Sequence, residues 1–332
     1  MKILCIGHAA YDITIPMKGF IKENTKNRVH ELVKCGGGPA CNAAYLLGKW
    51  GMETYFAGVV GNDVYGQNII RELETVGVDT TYLQVVQGYE TPNSFIIANT
   101  DTGSRTVMTY RSGTMHMSDV DIDFTPDVIL LDGQEYEFSK KMLEKYPDAI
   151  SIIDAGRPVF NVINLASMCD YVVCSHEFAQ VVSGDTLDLT KPSSIVTLYM
   201  DLKNFFKKNI VVTVEDKGAI YEKDNHVMLM PSLKMQAVDS TAAGDIFHGA
   251  FTYAIANGYK YDEVIKIGNV AGAISVTRVG GRYSIPTKEE MKKYIDDFKW
   301  CSISWFLSQT WFTWLWSRNS KSSNNRFCEW EL

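Results

Sequence analysis

Short runs of consecutive Val, Ile and Leu alternate with amphipathic stretches along most of the chain. The runs at 2–6, 54–59, 127–131, 149–153, 171–173 and 209–214 predict strands. Between them, apolar residues recur at helical spacing over 40–50, 65–75, 139–146 and 175–182. A strand that is apolar at every position has no face for water, so such strands separated by helices imply a mostly parallel sheet covered on both sides. The expected fold class is α/β, a three-layer α/β/α core. Two stretches, 12–33 and 92–111, break this rhythm with strand-like alternation around polar turns and no helix between. Asn99-Thr100-Asp101-Thr102-Gly103 is a hairpin signal within the second. Together the two stretches predict a small separate β-sheet. Helical patterns at 243–256, 261–276 and 287–298 bring the domain to a close, giving one domain over 1–298.

After Trp300 the pattern is lost. Residues 301–332 hold five of the seven tryptophans, at 305, 311, 314, 316 and 330, with a Ser/Asn-rich run at 317–325 and no periodicity. An aromatic anchor for a membrane or a partner would account for the tryptophans. The reading adopted is a non-native or unstructured tail over 299–332, such as a cloning scar or a shifted reading frame.

Composition narrows the function classes. A chain of 332 residues that is 46% hydrophobic and 21% charged can bury a large core, which excludes a disordered chain or a disulfide-stapled miniprotein. The net charge of -7 and the lack of a long basic run argue against nucleic acid as a partner. The cysteines at 5, 35, 41, 169, 174, 301 and 328 form no CxxC pair, so reduced thiols and a cytoplasmic address are expected. The apolar start is too short for a secretion leader and runs into His8 and Asp12. No segment reaches the roughly 18 apolar residues of a membrane helix, so no membrane partner is expected.

The most informative segment is Asp239-Ser240-Thr241-Ala242-Ala243-Gly244-Asp245. Its small residues let the backbone turn bring amide N–H groups together, and apolar residues at 246, 247, 250, 251 and 254 start a helix there. That combination makes an anion site at a helix N-terminus. A carboxylate at Asp245, beside the anion and favoured by the helix dipole, can take a proton from a hydroxyl while the amides stabilise a transferring phosphoryl group. An ordinary capped helix would satisfy the same seven residues. A second segment, Gly36-Gly37-Gly38-Pro39-Ala40-Cys41-Asn42, allows close backbone approach and offers through Asn42 both a donor and an acceptor to a polyol. Alone, it reads equally as a tight loop packed on the sheet.

In their order and separation these two segments resemble the paired signatures of the ribokinase-like sugar kinases, also called the phosphofructokinase-B family. The resemblance extends over about 1–298, because residues 7–12, 58–66, 103–106 and 280–287 also look like family elements. It implies a ribokinase-like core with a small β lid and an ATP- and magnesium-dependent sugar kinase. Asp245 then matches the catalytic base, and Ala242, Ala243 and Gly244 the backbone anion hole for the γ-phosphate. Asp12, Gly37, Gly38 and Asn42 match sugar-binding positions, and Arg111 in the lid is a candidate partner for an acidic substrate group. Asp239, Thr241 and Ser284 lie where many members hold a monovalent cation, which implies potassium activation. On the nucleotide side Glu177 matches the acidic end of an Asn-x-x-Glu motif that acts on magnesium through water, with Cys174 at the Asn position. Thr213, Glu215 and Gly218 fall on a Thr-x-Gly-x-x-Gly nucleotide loop in which Glu215 replaces the first glycine. Asn269 is assigned either to adenine or to helix packing. Lids of this family often pair between subunits, so a homodimer through the lid is expected.

Other chemistries fail on spacing. His176-Glu177-Phe178-Ala179-Gln180 lacks the second histidine of a zinc protease helix, and Gly48-Lys49 has Ala43 where a Walker loop needs glycine. The expected activity is transfer of the γ-phosphate of ATP to a primary hydroxyl of a small sugar such as ribose, fructose or a related ketose. The alternatives are a nucleoside or sugar-phosphate kinase of the same family, and a non-catalytic sugar-binding regulator on the same fold, suggested by Cys174 and Glu215.

Overall fold

The computed structural model describes residues 1–298 and, beyond them, the backbone of two short strands, Ile303–Phe306 and Trp314–Trp316. The amino-terminal half runs β1 (Lys2–Ile6), β2 (Ala10–Met17), β3 (Val33–Gly37), α1 (Pro39–Lys49), β4 (Glu53–Gly61), α2 (Val64–Thr75), β5 (Val78–Asp79), β6 (Leu83–Val86), β7 (Asn93–Asn99) and β8 (Ser104–Tyr110). The middle holds β9 (Val128–Leu131), α3 (Tyr136–Lys145), β10 (Ile150–Ala155), α4 (Phe160–Met168), β11 (Tyr171–Ser175), α5 (His176–Ser183) and α6 (Pro192–Phe206). The last part holds β12 (Asn209–Thr213), β13 (Ala219–Lys223), β14 (His226–Met230), α7 (Ala243–Ala256), α8 (Tyr261–Ser275), α9 (Lys288–Asp297) and the strands β15 (Ile303–Phe306) and β16 (Trp314–Trp316).

Strand order in the large sheet is β16-β15-β14-β13-β12-β11-β10-β9-β1-β4-β5, with β6 beside β4. From β12 to β5 every neighbour is parallel, while β12 to β16 run antiparallel in succession. The all-apolar strands explain the layering. In β1, Ile3 and Cys5 face one layer and Leu4 and Ile6 the other; Val128 and Leu130 against Ile129 and Leu131 do the same in β9. One layer is built from α1, α7 and α8 through residues such as Leu46, Phe251 and Ile265. The opposite layer is built from α3 to α6 through Met142, Leu165, Phe178 and Leu198. Each such buried side chain contributes about 1.5–3 kcal/mol, so the sheet is held from both sides.

The small sheet has the order β3-β2-β7-β8 and stands at the carboxyl end of β1, where β2 leaves the core. Its strands follow the first of the two stretches that break the rhythm only in part: β2 begins at Ala10, no strand is formed over 18–32, and β3 starts at Val33, where the expected stretch ends. The hairpin between β7 and β8 closes where the sequence signals it, with Gly103 N donating to Asn99 O at 2.7 Å. It docks on the core directly: Ser240 N donates to Gly103 O at 3.0 Å, and Arg105 Nη1 donates to Ser240 O at 2.9 Å and Oγ at 2.8 Å. Of the tail, only the backbone of β15 and β16 is described, and the expectations for the rest of 299–332 lie outside the described residues.

Candidate active site

In a parallel sheet the side chains that meet ligands gather beyond the carboxyl ends of the strands, where loops and helix N-termini converge. Asp245 is in the first turn of α7, whose N-cap Ala242 adopts a left-handed conformation (φ 62) with no side-chain cap. The first-turn amides are therefore left open to an outside acceptor. Ala243 N reaches Ser240 O only at 3.4 Å. A Cβ added at Gly244 would meet nothing within 4 Å, so the space over the turn is clear.

Three further elements converge on Asp245. Asn42, near the start of α1, donates from Nδ2 to Asp245 Oδ2 at 2.7 Å, and its Oδ1 is buried without a hydrogen-bond partner among the described residues. An acceptor so placed suits an incoming hydroxyl. Asp12 lies in β2, and a Cβ on Gly37 would fall 2.1 Å from its Oδ2, which is why β3 must end in glycine. Gly38, at φ 100, turns the chain into α1 so tightly that a Cβ would lie 2.1 Å from His8 O. Burial, and after it the negative charge of Asp245, push the Asp12 carboxyl up to about 6.

Arg111, just past β8, points a guanidinium nitrogen at His8 Nε2, 3.1 Å away. Burial, with the charges of Arg111 and Arg157, holds His8 down at about 3, so its ring is neutral and able to accept that bond. Neither Arg111 nor Arg157 makes an ion pair among the described residues. Arg111 follows the end of β8 and Arg157 the end of β10, and the charges of both act on His8.

Asp239 and the turn at 280–284 form a staple beneath the turn that opens α7. Asp239 Oδ1 accepts from Thr241 N at 2.9 Å and Oγ1 at 2.6 Å, and its Oδ2 accepts from Gly280 N at 2.9 Å. Ser284 Oγ donates to Gly281 O at 2.7 Å. The three groups named for a cation thus come together, with their polar atoms engaged in holding the two turns.

The residues expected to hold a nucleotide separate. Glu177 is exposed in the first turn of α5, which Ser175 caps by accepting from Phe178 N at 3.1 Å. Thr213 Oγ1 donates to Cys174 O at 3.2 Å, joining the ends of β12 and β11. Cys174 itself is fully buried in the core, and burial pushes its thiol well up, so this position offers a nucleotide no side chain. The reason is register: 174 falls on the inward face of β11, level with Val212. Glu215 is exposed at φ 52, a left-handed conformation that explains a glycine preference at this turn and leaves its carboxylate in solvent. Gly218, at φ 112, admits no side chain because a Cβ would lie 2.0 Å from Met230 O. Asn269 spends its amide on Met230 O at 3.1 Å, tying α8 to the end of β14 in the manner of a packing residue.

Several groups that hold these turns and loops have no counterpart among the sequence candidates. Asp132, half-buried just past the end of β9, accepts from His8 N at 2.9 Å, Gln134 N at 3.0 Å and Ala40 N at 3.2 Å, fixing two loops at once. Arg282, 2% exposed, pairs with Glu72 Oε2 at 2.7 Å and donates to Cys41 Sγ at 2.9 Å. It also explains Gly36, where a Cβ would lie 2.3 Å from its guanidinium. His248 and Asp154 form a buried pair beneath α7. The available signal was a carboxylate closing an apolar run, as in Leu130-Leu131-Asp132 and Ile152-Ile153-Asp154.

Comparison with known proteins gives one consistent picture. A family model described as pfkB family carbohydrate kinase matches residues 1–288. Ribokinase of Staphylococcus aureus is 25% identical over 311 residues, covering 88% of this chain and 99% of that protein. The crystal structure of ribokinase from Thermotoga maritima superposes with a TM-score of 0.74 at 26% identity, covering 89% of this chain and 99% of that one. Arabidopsis thaliana ribokinase, complexed with ribose and ATP, shares the fold at a TM-score of 0.73 and 20% identity, over 89% of this chain and 98% of that one.

Proposed function

The chain belongs to the pfkB family of carbohydrate kinases, phosphotransferases that act on an alcohol group, and from that premise we propose that it transfers the γ-phosphate of ATP to a primary hydroxyl of a small sugar. The observation that carries the reading is the meeting of Asp245 with Asn42 and Asp12 in front of an uncapped helix turn. The sugar hydroxyls bind Asp12, Asn42 and the backbone of Gly37 and Gly38, which aims one primary hydroxyl at Asp245. Asp245 takes its proton as the oxygen attacks the γ-phosphorus in line, and the amides of 242–244 take up the charge on the transferring group. Magnesium bound with the nucleotide supplies neutralising charge at the phosphates, and Glu177, exposed on α5, is the side chain suited to hold it through water. Docking of the lid hairpin on Ser240 supports a closed state that keeps water from the base.

Thr213, Glu215 and Gly218 line the adenosine-side loop in this reading, and Cys174 contributes backbone only. For Asp239, Thr241 and Ser284 a potassium role rests on the resemblance, and exchange of potassium for tetramethylammonium, with turnover followed, checks it. The strand β8 is exposed along its length and carries Val107, Met108 and Tyr110 outward, which supports a homodimer through the lid; sedimentation at twice the chain mass is the expected result.

A second reading, a sugar already bearing a phosphate or carboxylate, is favoured by the guanidiniums of Arg111 and Arg157 beside His8, neither of which is in an ion pair among the described residues. One panel tests both readings: magnesium-dependent ADP release with ribose, fructose, 2-keto-3-deoxygluconate, fructose phosphates and adenosine. Turnover of a neutral sugar supports the first reading, and turnover confined to the acidic sugars supports the second. Sugar-induced thermal stabilisation without any ADP release would favour a non-catalytic binding protein instead.

A further inference from the structure

His248 lies on the face of α7 turned toward the sheet, three residues after Asp245, and is 4% exposed. Both of its ring nitrogens face acceptors. Nδ1 is 2.6 Å from Gly244 O and 3.2 Å from Asp154 Oδ2, and Nε2 is 3.0 Å from Val173 O. A carbonyl oxygen can only accept, and a neutral imidazole has one N–H to give. Two carbonyls at hydrogen-bond distance from opposite nitrogens therefore require both nitrogens to be protonated. Asp154, 8% exposed at the end of β10, is the counter-charge; burial pushes its carboxyl up to about 7, and a positive His248 beside it favours the ionised form. A protonated Asp154 donating to Nδ1 would leave the lone pair of that nitrogen against the Gly244 oxygen, a repulsive contact.

From this geometry we propose that His248 is a positioning residue for phosphoryl transfer: a buried imidazolium, paired with Asp154, that fixes the peptide between Gly244 and Asp245. In a planar trans peptide the C=O and the following N–H point in opposite directions. Holding Gly244 O against His248 beneath the turn therefore aims the amide N–H of Asp245 outward, toward the anion. The same peptide carries the base, so one contact sets both the donor and the carboxylate. The second N–H, on Val173 O, ties this turn to β11, and Asp154 ties it to β10. The imidazolium also places a positive charge under the site where negative charge develops. The charged or titratable groups that act on its partner Asp154 in β10 are His248 itself, Asp245 on the same helix and Asp132 after β9, and Asp154 in turn acts on the Cys174 thiol of β11.

The inference rests on the kinase reading for its catalytic consequence but not for its protonation state, and the tests separate the two. Side-chain nitrogen NMR of the full chain at pH 8 should show His248 with two N–H protons, and Asp154→Asn should convert it to a neutral ring. A single protonated nitrogen in the wild type would overturn the proposal even if His248→Gln failed to fold. In His248→Gln, kcat should fall on the order of 10–100-fold, the size of a small misplacement of reacting groups, with the sugar KM and the sugar-induced thermal shift retained. A lower melting temperature with kcat per folded molecule unchanged would reduce His248 to a packing residue. Silence of the wild type toward every sugar would sink the kinase reading, while the NMR result would still decide the charge on His248.

Discussion

Burial and the charge of Asp245 set the behaviour of Asp12, whose carboxyl stands at about 6 against an ordinary value of 3.8. Between those values the folded chain holds a proton that the unfolded chain releases. The contribution of this group to stability is therefore full below the ordinary value and lost as pH rises through about 6. The proposed sugar contact of Asp12 runs the other way, because a hydroxyl donates to the ionised form. The KM for the sugar should fall by roughly tenfold between pH 5 and pH 7, following the ionised fraction of a group at about 6. Steady-state kinetics across that range check it, and Asp12→Asn should give a flat profile with weaker binding. A pH-independent KM in the wild type would remove Asp12 from the sugar site. Asn42 belongs to the same scale: its amide nitrogen serves Asp245, and its oxygen, without a partner among the described residues, is free for the proposed sugar contact.

Turns rather than helices decide the proposed nucleotide side. The loop from Val214 to Gly218 keeps the left-handed backbone at 215 with a glutamate in place of glycine, which costs about 1–2 kcal/mol of backbone strain. It also leaves a negative charge near where a polyphosphate would lie. Glu215→Gly should raise the melting temperature slightly and lower the KM for ATP several-fold; a raised KM would mean that the carboxylate is a ligand there. The strands were legible where both faces are buried, since β1 occupies Lys2–Ile6 as the apolar run predicts. The antiparallel hairpin of β13 and β14 was not, because its turn uses Asp224 and Asn225 at positive φ instead of a glycine. The helix Pro192–Phe206 likewise has no counterpart in the expectations, although Ile195, Leu198, Tyr199, Leu202 and Phe206 follow the helical period, because Ser and Thr dilute its start.

At the scale of the whole molecule, α/β layering and the two signatures were readable because each is a local pattern. The pairings that complete the site join residues far apart in sequence: Asn42 with Asp245, Arg282 with Glu72 and Cys41, His248 with Val173 and Asp154. Only the fold brings these together, by crossing the chain over the sheet between distant strands. Every residue assigned to catalysis or binding lies between Asp12 and Ser284, within the matched 1–288. The most direct measurement is therefore turnover of Asp245→Asn on the sugar identified by the panel, with sugar binding followed in parallel by thermal shift. Loss of general-base assistance should lower kcat by about 10²–10⁴-fold while binding and the melting transition persist. Near-normal turnover in the folded variant would contradict Asp245 as the base and, with it, the proposed mechanism.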